Sequence, residues 1–210
     1  RREAPMLRPK EKTDSIELCS KGQFGSITCR EKKQKPQIFL LTGMSDLSGW
    51  HEEWREEVFK KIAENPQHQF LFLTKRPDLL SFETDLDNAW FGVTVTRKSE
   101  LWRIDALRSN VKAKKYHVTF EPLFDDPGKV DLKGIDWIVV GTMTGAKSRT
   151  VKTDPGWAYS LTEQAHELNI PVFWKEDLVP IMGEEMIQEM PDAFNKVLEE
   201  QRIWNNQKSK

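Results

Sequence analysis

The stretch that decides the fold is Ile38-Phe39-Leu40-Leu41-Thr42-Gly43-Met44-Ser45-Asp46. Four apolar residues follow one another without a polar break, and small and polar residues then end the run. A short, uniformly apolar run is typical of a strand that is buried on both faces, as in parallel sheets. The same arrangement recurs five times, and each apolar run has its polar residues at its carboxyl end. The five runs are residues 70–73, 90–93, 117–120, 137–140 and 172–174.

The spacing of these runs predicts a parallel α/β fold. The expected strand ends, near residues 41, 73, 95, 120, 140 and 174, are 20 to 34 residues apart, which is the length of a strand–helix unit. Right-handed crossovers would place all six strands parallel. Neither G-x-G-x-x-G nor G-x-x-x-x-G-K-[ST] occurs, so the classical dinucleotide-binding and P-loop folds lose support. A doubly wound sheet stays possible, but the pattern favours a partial barrel.

Capping residues predict where the main helices begin. Ser48 is expected to cap a helix that follows the first strand, and Ser99 a helix that follows the third. Asp154 followed by Pro155 is a cap with proline at the first helical position. A C-terminal helix is expected to begin near Asp192.

Charge and periodicity divide the chain into three parts. Residues 1–35 hold ten Lys and Arg against five Asp and Glu, show no sustained hydrophobic period, and are predicted to be a poorly ordered basic segment. Residues 36–180 are predicted to form the barrel, and residues 181–210 a C-terminal helical extension. A basic segment of this size is usually solvated. Nucleic-acid binding is the weaker alternative.

The composition indicates a cytoplasmic protein with no membrane partner. No apolar run approaches the roughly 20 residues of a membrane-spanning helix, and no hydrophobic signal segment opens the chain. Cys19 and Cys29 are the two cysteines, and their spacing matches no zinc or iron–sulfur pattern. The four histidines do not cluster in the sequence, and no nucleophile motif is visible. Because the chain begins at Arg1 without Met, we interpret it as a fragment.

The polar residues after the first strand are candidates for ligand binding, since ligands bind at the carboxyl ends of parallel strands. Gly43 permits close approach to the backbone, Ser45 offers a hydroxyl and Asp46 a carboxylate. The alternative is that Ser45 and Asp46 only order the turn before the helix.

The later strand ends offer further candidates, each with a structural alternative. Lys75 and Arg76 are able to hold a carboxylate or a phosphate, unless they are simply solvated. Glu121 follows an apolar strand directly, and a ribose, a substrate amine or Lys175 is its expected partner. A structural salt bridge is the alternative for this carboxylate. Residues 141–145 have a glycine at each end and resemble a loop that packs closely on a ligand.

Five consecutive motifs carry a family resemblance: FLLTGMSDLSGW (39–50), HQFLFLTKRPD (68–78), AWFGVTVTRKSE (89–100), HVTFEPLFDDPG (117–128) and DWIVVGTMTG (136–145). Together they resemble the radical SAM mobile pair protein A family and, more loosely, phage-type radical SAM proteins. The resemblance runs from about residue 36 to the C-terminal region.

The resemblance implies a partial (β/α)6 barrel that binds S-adenosylmethionine beside a [4Fe–4S] cluster for radical chemistry. By analogy, the methionine amino group is held near Gly43, Ser45 and Asp46. The ribose, carboxylate or adenine would contact a second set of residues. This set is Thr94, Thr96, Arg97, Glu121, Thr142, Thr144 and Gly145. No catalytic residue is assigned.

The chain departs from the family at the cluster. A radical SAM cluster needs three thiolates on one loop, usually C-x-x-x-C-x-x-C, and this motif is absent from the sequence. We therefore expect a protein without a cluster, inactive in SAM cleavage, and without the first βα unit of the barrel. The alternative is a non-enzymatic module that binds a second radical SAM protein of the mobile pair.

Overall fold

The computed structural model describes residues 35–145, 153–183 and 186–208, together with two short strands nearer the N-terminus. These strands, β1 (Ser15–Glu17) and β2 (Ser26–Thr28), pair antiparallel. The chain forms two compact units, Arg1–Gln34 and Lys35–Lys210. Cys19, Cys29 and most of the predicted basic segment lie outside the described residues.

The second unit is built on a sheet of six parallel strands. Its strands are β3 (Ile38–Leu40), β4 (Gln69–Thr74), β6 (Ala89–Thr94), β8 (Tyr116–Phe120), β9 (Trp137–Val140) and β10 (Val172–Trp174). Two short strands, β5 (Phe82–Glu83) and β7 (Val111–Lys112), form a separate parallel pair. The order across the large sheet is β10-β9-β8-β6-β4-β3, so every strand lies beside its neighbours in the sequence. The sheet curls into a half barrel, which confirms the predicted parallel strands and the partial barrel.

Three α-helices connect strands of the sheet, and two more follow it. They are α1 (Glu52–Ala63), α2 (Trp102–Asn110), α3 (Pro155–His166), α4 (Val179–Met182) and α5 (Asp192–Lys208). The connection from β4 to β6 contains a 3₁₀ turn and β5 instead of an α-helix. The connection from β8 to β9 is a loop over residues 121–136. The half barrel therefore lacks an α-helix in two of its five crossovers.

The predicted helix starts were right for α3 and α5 and wrong for α1 and α2. Asp154 caps α3 by accepting a hydrogen bond from the Gly156 N–H at 2.7 Å. Ser48 does not cap α1, because it lies inside a 3₁₀ turn that Asp46 caps. Ser99 likewise lies inside a 3₁₀ turn that precedes α2. In the first turn the Asp46 carboxylate accepts the Ser48 N–H. The second turn has no side-chain cap at Arg97, and its Lys98 N–H donates to Asp125 in the loop after β8 at 2.7 Å.

The two faces of the sheet differ in what covers them. On the outer face, Phe59 of α1 packs against Phe72 and Phe91, with ring centroids 5.9 and 5.7 Å apart. Trp174 on the same face packs against α3 and donates its indole N–H to the Thr162 hydroxyl at 3.0 Å. The inner face carries the residues that alternate with these, among them Leu71, Trp90 and Trp137.

The C-terminal helix fills part of the inner face. Phe194 of α5 is 1% exposed, and its ring lies 4.6 Å from the ring of Trp90 and 5.1 Å from that of Trp137. Aromatic rings packed in this way contribute strongly to a core, both through buried area and through ring geometry. Helix α5 is therefore part of the hydrophobic core of the half barrel.

The two edges of the sheet are covered differently. Residues 187–189 run antiparallel to β10: the Trp174 N–H donates to the Ile187 carbonyl at 2.7 Å, and the Glu189 N–H donates to the Val172 carbonyl at 2.8 Å. In the described part of the chain, no strand pairs with the outer side of β3.

None of the described helices has both the length and the apolar composition of a membrane-spanning helix.

Candidate functional site

The ten residues implied as cofactor contacts all follow, or end, strands of the parallel sheet at their carboxyl ends. This edge is the strand-end rim. Gly43, Ser45, Arg97, Thr144 and Gly145 are exposed there. Asp46, Thr96 and Glu121 are half-buried, and Thr94 and Thr142 are buried. Because neighbouring strands lie about 4.8 Å apart, the parallel order brings these residues along one continuous edge.

Asp46 ties the loop after β3 to the end of β4. One carboxylate oxygen accepts from the Ser48 N–H at 2.9 Å and from the Thr74 hydroxyl, and the other accepts from the Lys75 N–H at 2.8 Å. Burial raises the pKa of Asp46, but these hydrogen bonds outweigh the burial and hold its pKa below the ordinary value. The turn-ordering alternative therefore describes Asp46, since both of its oxygens are engaged within the protein.

The other residues of this loop leave more room. No atom would lie within 4 Å of a Cβ placed on Gly43, so the backbone there faces open space. Ser45 is exposed, and its hydroxyl accepts from the indole N–H of Trp50 at 3.0 Å. A ligand can thus reach the backbone of Gly43 without displacing a side chain.

The cations after β4 are not a preformed anion site. Arg76 binds Asp78 through two nitrogens, with distances of 2.8 and 3.0 Å, and both side chains are largely exposed. Lys75 is exposed, and its backbone N–H serves Asp46. Of the two alternatives predicted for this pair, the solvated one fits better.

A carboxylate missed by the sequence reasoning orders the loop after β6. Glu100 accepts from the Thr96 N–H at 2.7 Å and from the Thr96 hydroxyl at 2.9 Å. Arg103 contacts the same carboxylate at 2.9 Å and also donates to the Thr94 carbonyl at 2.7 Å. Burial raises the pKa of Glu100, but the bonds from Thr96 and the charge of Arg103 bring its pKa below the ordinary value. The spacing of Thr96 and Glu100, four residues apart, was the available signal.

Arg97, in the same loop, is exposed and stacks over a ring. Its guanidinium carbon lies 4.7 Å from the centroid of Phe124, in the loop after β8. This cation–π contact holds the exposed Arg97 side chain at the rim.

The ends of β8, β9 and β10 bring a second group of charges together. Glu121 forms an ion pair with Lys175, so the salt-bridge alternative holds for this carboxylate in the ligand-free protein. The two side chains lie over Gly141: a Cβ on Gly141 would be 3.1 Å from a carbon of each. A Cβ at position 141 would therefore crowd both side chains.

Asp177 is the second carboxylate beside Lys175. One of its oxygens lies 4.0 Å from the Lys175 ammonium, and this oxygen is buried and has no hydrogen-bond partner among the described residues. The other accepts from the Thr142 N–H at a long 3.3 Å. Thr142 is fixed by the Thr153 hydroxyl, 2.9 Å from its own. Thr144 and Gly145 follow on the surface, with Gly145 at φ 74°.

His117 is a buried titratable group that lies beneath the rim on the inner face. Its Nε2 donates to the Phe72 carbonyl at 3.1 Å, while its Nδ1 has no partner among the described residues. Burial lowers the pKa of His117 to about 4, so the ring is neutral at pH 7. The ring lies directly over Gly92, where a Cβ would come within 2.3 Å of it. A glycine within a strand was the only sign of this contact in the sequence.

The described residues contain no group of three or more His, Cys, Asp or Glu side chains placed to hold a metal ion. The whole sequence contains two cysteines, Cys19 and Cys29, both outside the described ranges. A loop that supplies three thiolates to a [4Fe–4S] cluster cannot be built from two cysteines. The residues present therefore do not fit the cluster.

Comparison with known proteins gives one match. None of the curated proteins and none of the solved structures is similar to the chain. Residues 10–207 match the model of a family described as a protein of unknown function, DUF5131. That match covers nearly the whole sequence, so the chain belongs to the DUF5131 family.

Proposed function

We propose that this chain is a radical SAM-type half barrel that binds S-adenosylmethionine or a close analogue at the strand-end rim, acts in the cytoplasm, and carries no [4Fe–4S] cluster. A complete form with a cluster would perform radical chemistry. This chain, with two cysteines, would bind the ligand without cleaving it.

The observation that carries the proposal is the placement of glycines and polar side chains along one rim of a consecutively ordered parallel half barrel. Gly43 faces open space at this rim, where a ligand can approach the backbone. Arg97 is exposed and offers a guanidinium to a ligand carboxylate, and the half-buried Glu121 offers a carboxylate to ribose hydroxyls or an amine. Asp46 is a poor ligand contact, because its oxygens already accept three hydrogen bonds.

Calorimetry with S-adenosylhomocysteine at millimolar concentration tests the proposal. Without chelation by a cluster, we expect affinity in the high micromolar range or weaker, since each ~1.4 kcal/mol lost weakens binding tenfold. Glu121→Gln should weaken binding further. Asp85→Asn, which alters an exposed carboxylate just before β6, at the other end of the sheet, should not. Absence of heat, with no amide shift at Gly43, Glu121 or Gly141, would refute ligand binding.

Anaerobic reconstitution with iron and sulfide tests the second half of the proposal. The chain should hold no stoichiometric cluster, because two thiolates cannot provide three ligands. Iron and sulfide analysis near one cluster per chain, lost on Cys19→Ala or Cys29→Ala, would contradict it.

A second candidate is a binding module for another radical SAM protein of a mobile pair. The outer edge of β3 favours this candidate, because its backbone N–H and C=O groups pair with no described strand. Two apolar side chains are exposed at or near this edge: Leu40 is 54% exposed and Met44 is 74% exposed. Such edges attract partner chains. If the paired protein co-elutes with the wild-type chain but not with Leu40→Lys, the result supports a binding module that uses the edge of β3. Co-elution that is unchanged in Leu40→Lys excludes this edge as the interface.

A further inference from the structure

Lys175 lies between the carboxylates of Glu121 and Asp177, and its ammonium is much closer to Glu121. It pairs with Glu121 and leaves the nearer Asp177 oxygen at 4.0 Å, beyond hydrogen-bond distance. That oxygen is inaccessible to solvent and has no donor among the described residues, and the Asp177 side chain is 14% exposed. A buried carboxylate oxygen with no donor is costly and calls for an explanation.

We propose that Lys175 is a movable counter-ion, which pairs with Glu121 in the free protein and shifts to Asp177 when a ligand's ammonium group takes Glu121. The inference deepens the proposed function and rests on it for the identity of the ligand, since S-adenosylmethionine carries an α-ammonium. The exchange itself requires only a ligand with an ammonium group.

Charge favours this exchange. Glu121 and Asp177 are two carboxylates beside a single ammonium, that of Lys175, which can balance the charge of one of them. A ligand ammonium supplies the missing positive charge, so the occupied site is neutral. Lys175 has to move by only about 1 Å to bring its ammonium within hydrogen-bond distance of Asp177. Its flexible four-carbon stem permits a shift of that size.

Gly141 lies beneath the two side chains that take part in this exchange. The stem of Lys175 and the side chain of Glu121 both lie on Gly141, where a Cβ would come within 3.1 Å of each. The lysine can therefore swing between its two carboxylates across a flat glycine surface. A Cβ at position 141 would press on both side chains, so one of them would have to shift.

The other carboxylates at the rim are already committed. Both oxygens of Asp46 accept backbone or hydroxyl hydrogens, and Asp78 holds Arg76 through two bonds. Glu100 is engaged by Thr96 and Arg103. Glu121 differs from these three carboxylates, because it is half-buried and a ligand that binds it would displace only Lys175.

The test uses ethylammonium as a minimal probe, with ethanol as the neutral control, and follows side-chain carboxyl ¹³C resonances of the whole protein. Ethylammonium should shift the resonances of both Glu121 and Asp177, and ethanol should shift neither. Asp177→Asn should weaken ethylammonium binding about tenfold, the equivalent of roughly 1.4 kcal/mol. Glu176→Gln, an exposed carboxylate in the same turn, should leave binding unchanged.

Lys175→Met gives an opposite expectation. It removes the competing cation, so ethylammonium should bind more tightly than it does to the wild type. Weaker binding in this variant, a Glu121 shift without an Asp177 shift, or no shift in the wild-type protein would each overturn the proposal. The wild-type titration decides the matter even if a variant does not fold.

A paired titration separates this inference from the proposed function. S-adenosylhomocysteine carries the α-ammonium, and 5′-methylthioadenosine lacks it. If ethylammonium shifts both carboxylates but neither nucleoside binds, the lysine exchange stands and the proposed function fails. If both nucleosides bind and Asp177 responds to neither nucleoside nor ethylammonium, the proposed function stands and the exchange is wrong.

Discussion

Acidification should destabilise the protein through His117. The folded-state pKa of His117 is about 4, against 6.5 for an unperturbed histidine. The unfolded chain therefore binds the proton more readily, and stability falls as the pH drops from about 6.5 to about 4. The limiting loss is the difference of 2.5 pKa units, about 3.4 kcal/mol, of which about 2 kcal/mol is lost between pH 7 and pH 5.

The assay is urea unfolding at pH 7, 6 and 5, followed by the fluorescence of the eight tryptophans. The wild type is compared with His117→Gln, whose amide can still donate to Phe72 but does not titrate. Burial also lowers the pKa of His68, but that residue is present in both proteins and cancels in the difference. Between pH 7 and pH 5 the unfolding free energy of the wild type should fall by about 2 kcal/mol more than that of His117→Gln.

Parallel loss of stability in the two proteins would refute the reasoning. So would an NMR titration of the His117 ring in the wild type with a midpoint near 6.5. The NMR measurement remains decisive if the glutamine variant does not fold.

Three further predictions concern stability and are measured by the same unfolding assay at pH 7. Gly92→Ala should lower the free energy of unfolding by about 1–3 kcal/mol or more, because its Cβ would come within 2.3 Å of the His117 ring. Gly43→Ala is the control and should change stability little, because a Cβ there has open space. Equal losses of stability in the two variants would contradict this reasoning. Asp46→Asn should lower the free energy of unfolding by about 1–3 kcal/mol, since it weakens the acceptor of three hydrogen bonds. An unchanged free energy of unfolding would mean that these hydrogen bonds do not stabilise the loop. Phe194→Ala should lower the free energy of unfolding by about 3–5 kcal/mol, because it opens a cavity beside Trp90 and Trp137. A loss below 1 kcal/mol would show that α5 does not stabilise the inner face.

The strands could be predicted because their signal is local. A strand buried on both faces must be apolar throughout, and the run from Trp137 to Val140, in which all four residues are buried, shows this without any knowledge of its neighbours. The run that begins at Ile38 has the same pattern, but β3 lies at the edge of the sheet and its Leu40 is 54% exposed, so the burial expected for this strand was wrong. The order of the strands could not be predicted from the spacing between runs, because the same spacing fits a doubly wound sheet and a partial barrel; the structure shows the consecutive order. The connection from β8 to β9 was harder, because residues 121–136 have the length of a crossover but no helical period.

The side chains at the rim could be located but not assigned a role. The sequence placed Asp46 and Glu121 at strand ends, yet what each one contacts depends on residues of other strands. Asp46 is held by Thr74 and Lys75, which lie 28 and 29 residues further along the chain. Glu121 pairs with Lys175, 54 residues away. Partners at such separations leave no periodic trace in one sequence, so local patterns could only list the alternatives.

The position of Phe194 in the chain has a consequence for synthesis on the ribosome. All six strands of the half barrel precede Phe194, and so do residues 187–189, which cover the edge of β10. Trp90 and Trp137 therefore leave the exit tunnel long before the side chain that covers them. At roughly 5–20 residues per second, the hundred residues between Trp90 and Phe194 take seconds to translate. Over that interval the nascent sheet presents an uncovered aromatic surface, which makes it a natural client for chaperones until its last helix emerges.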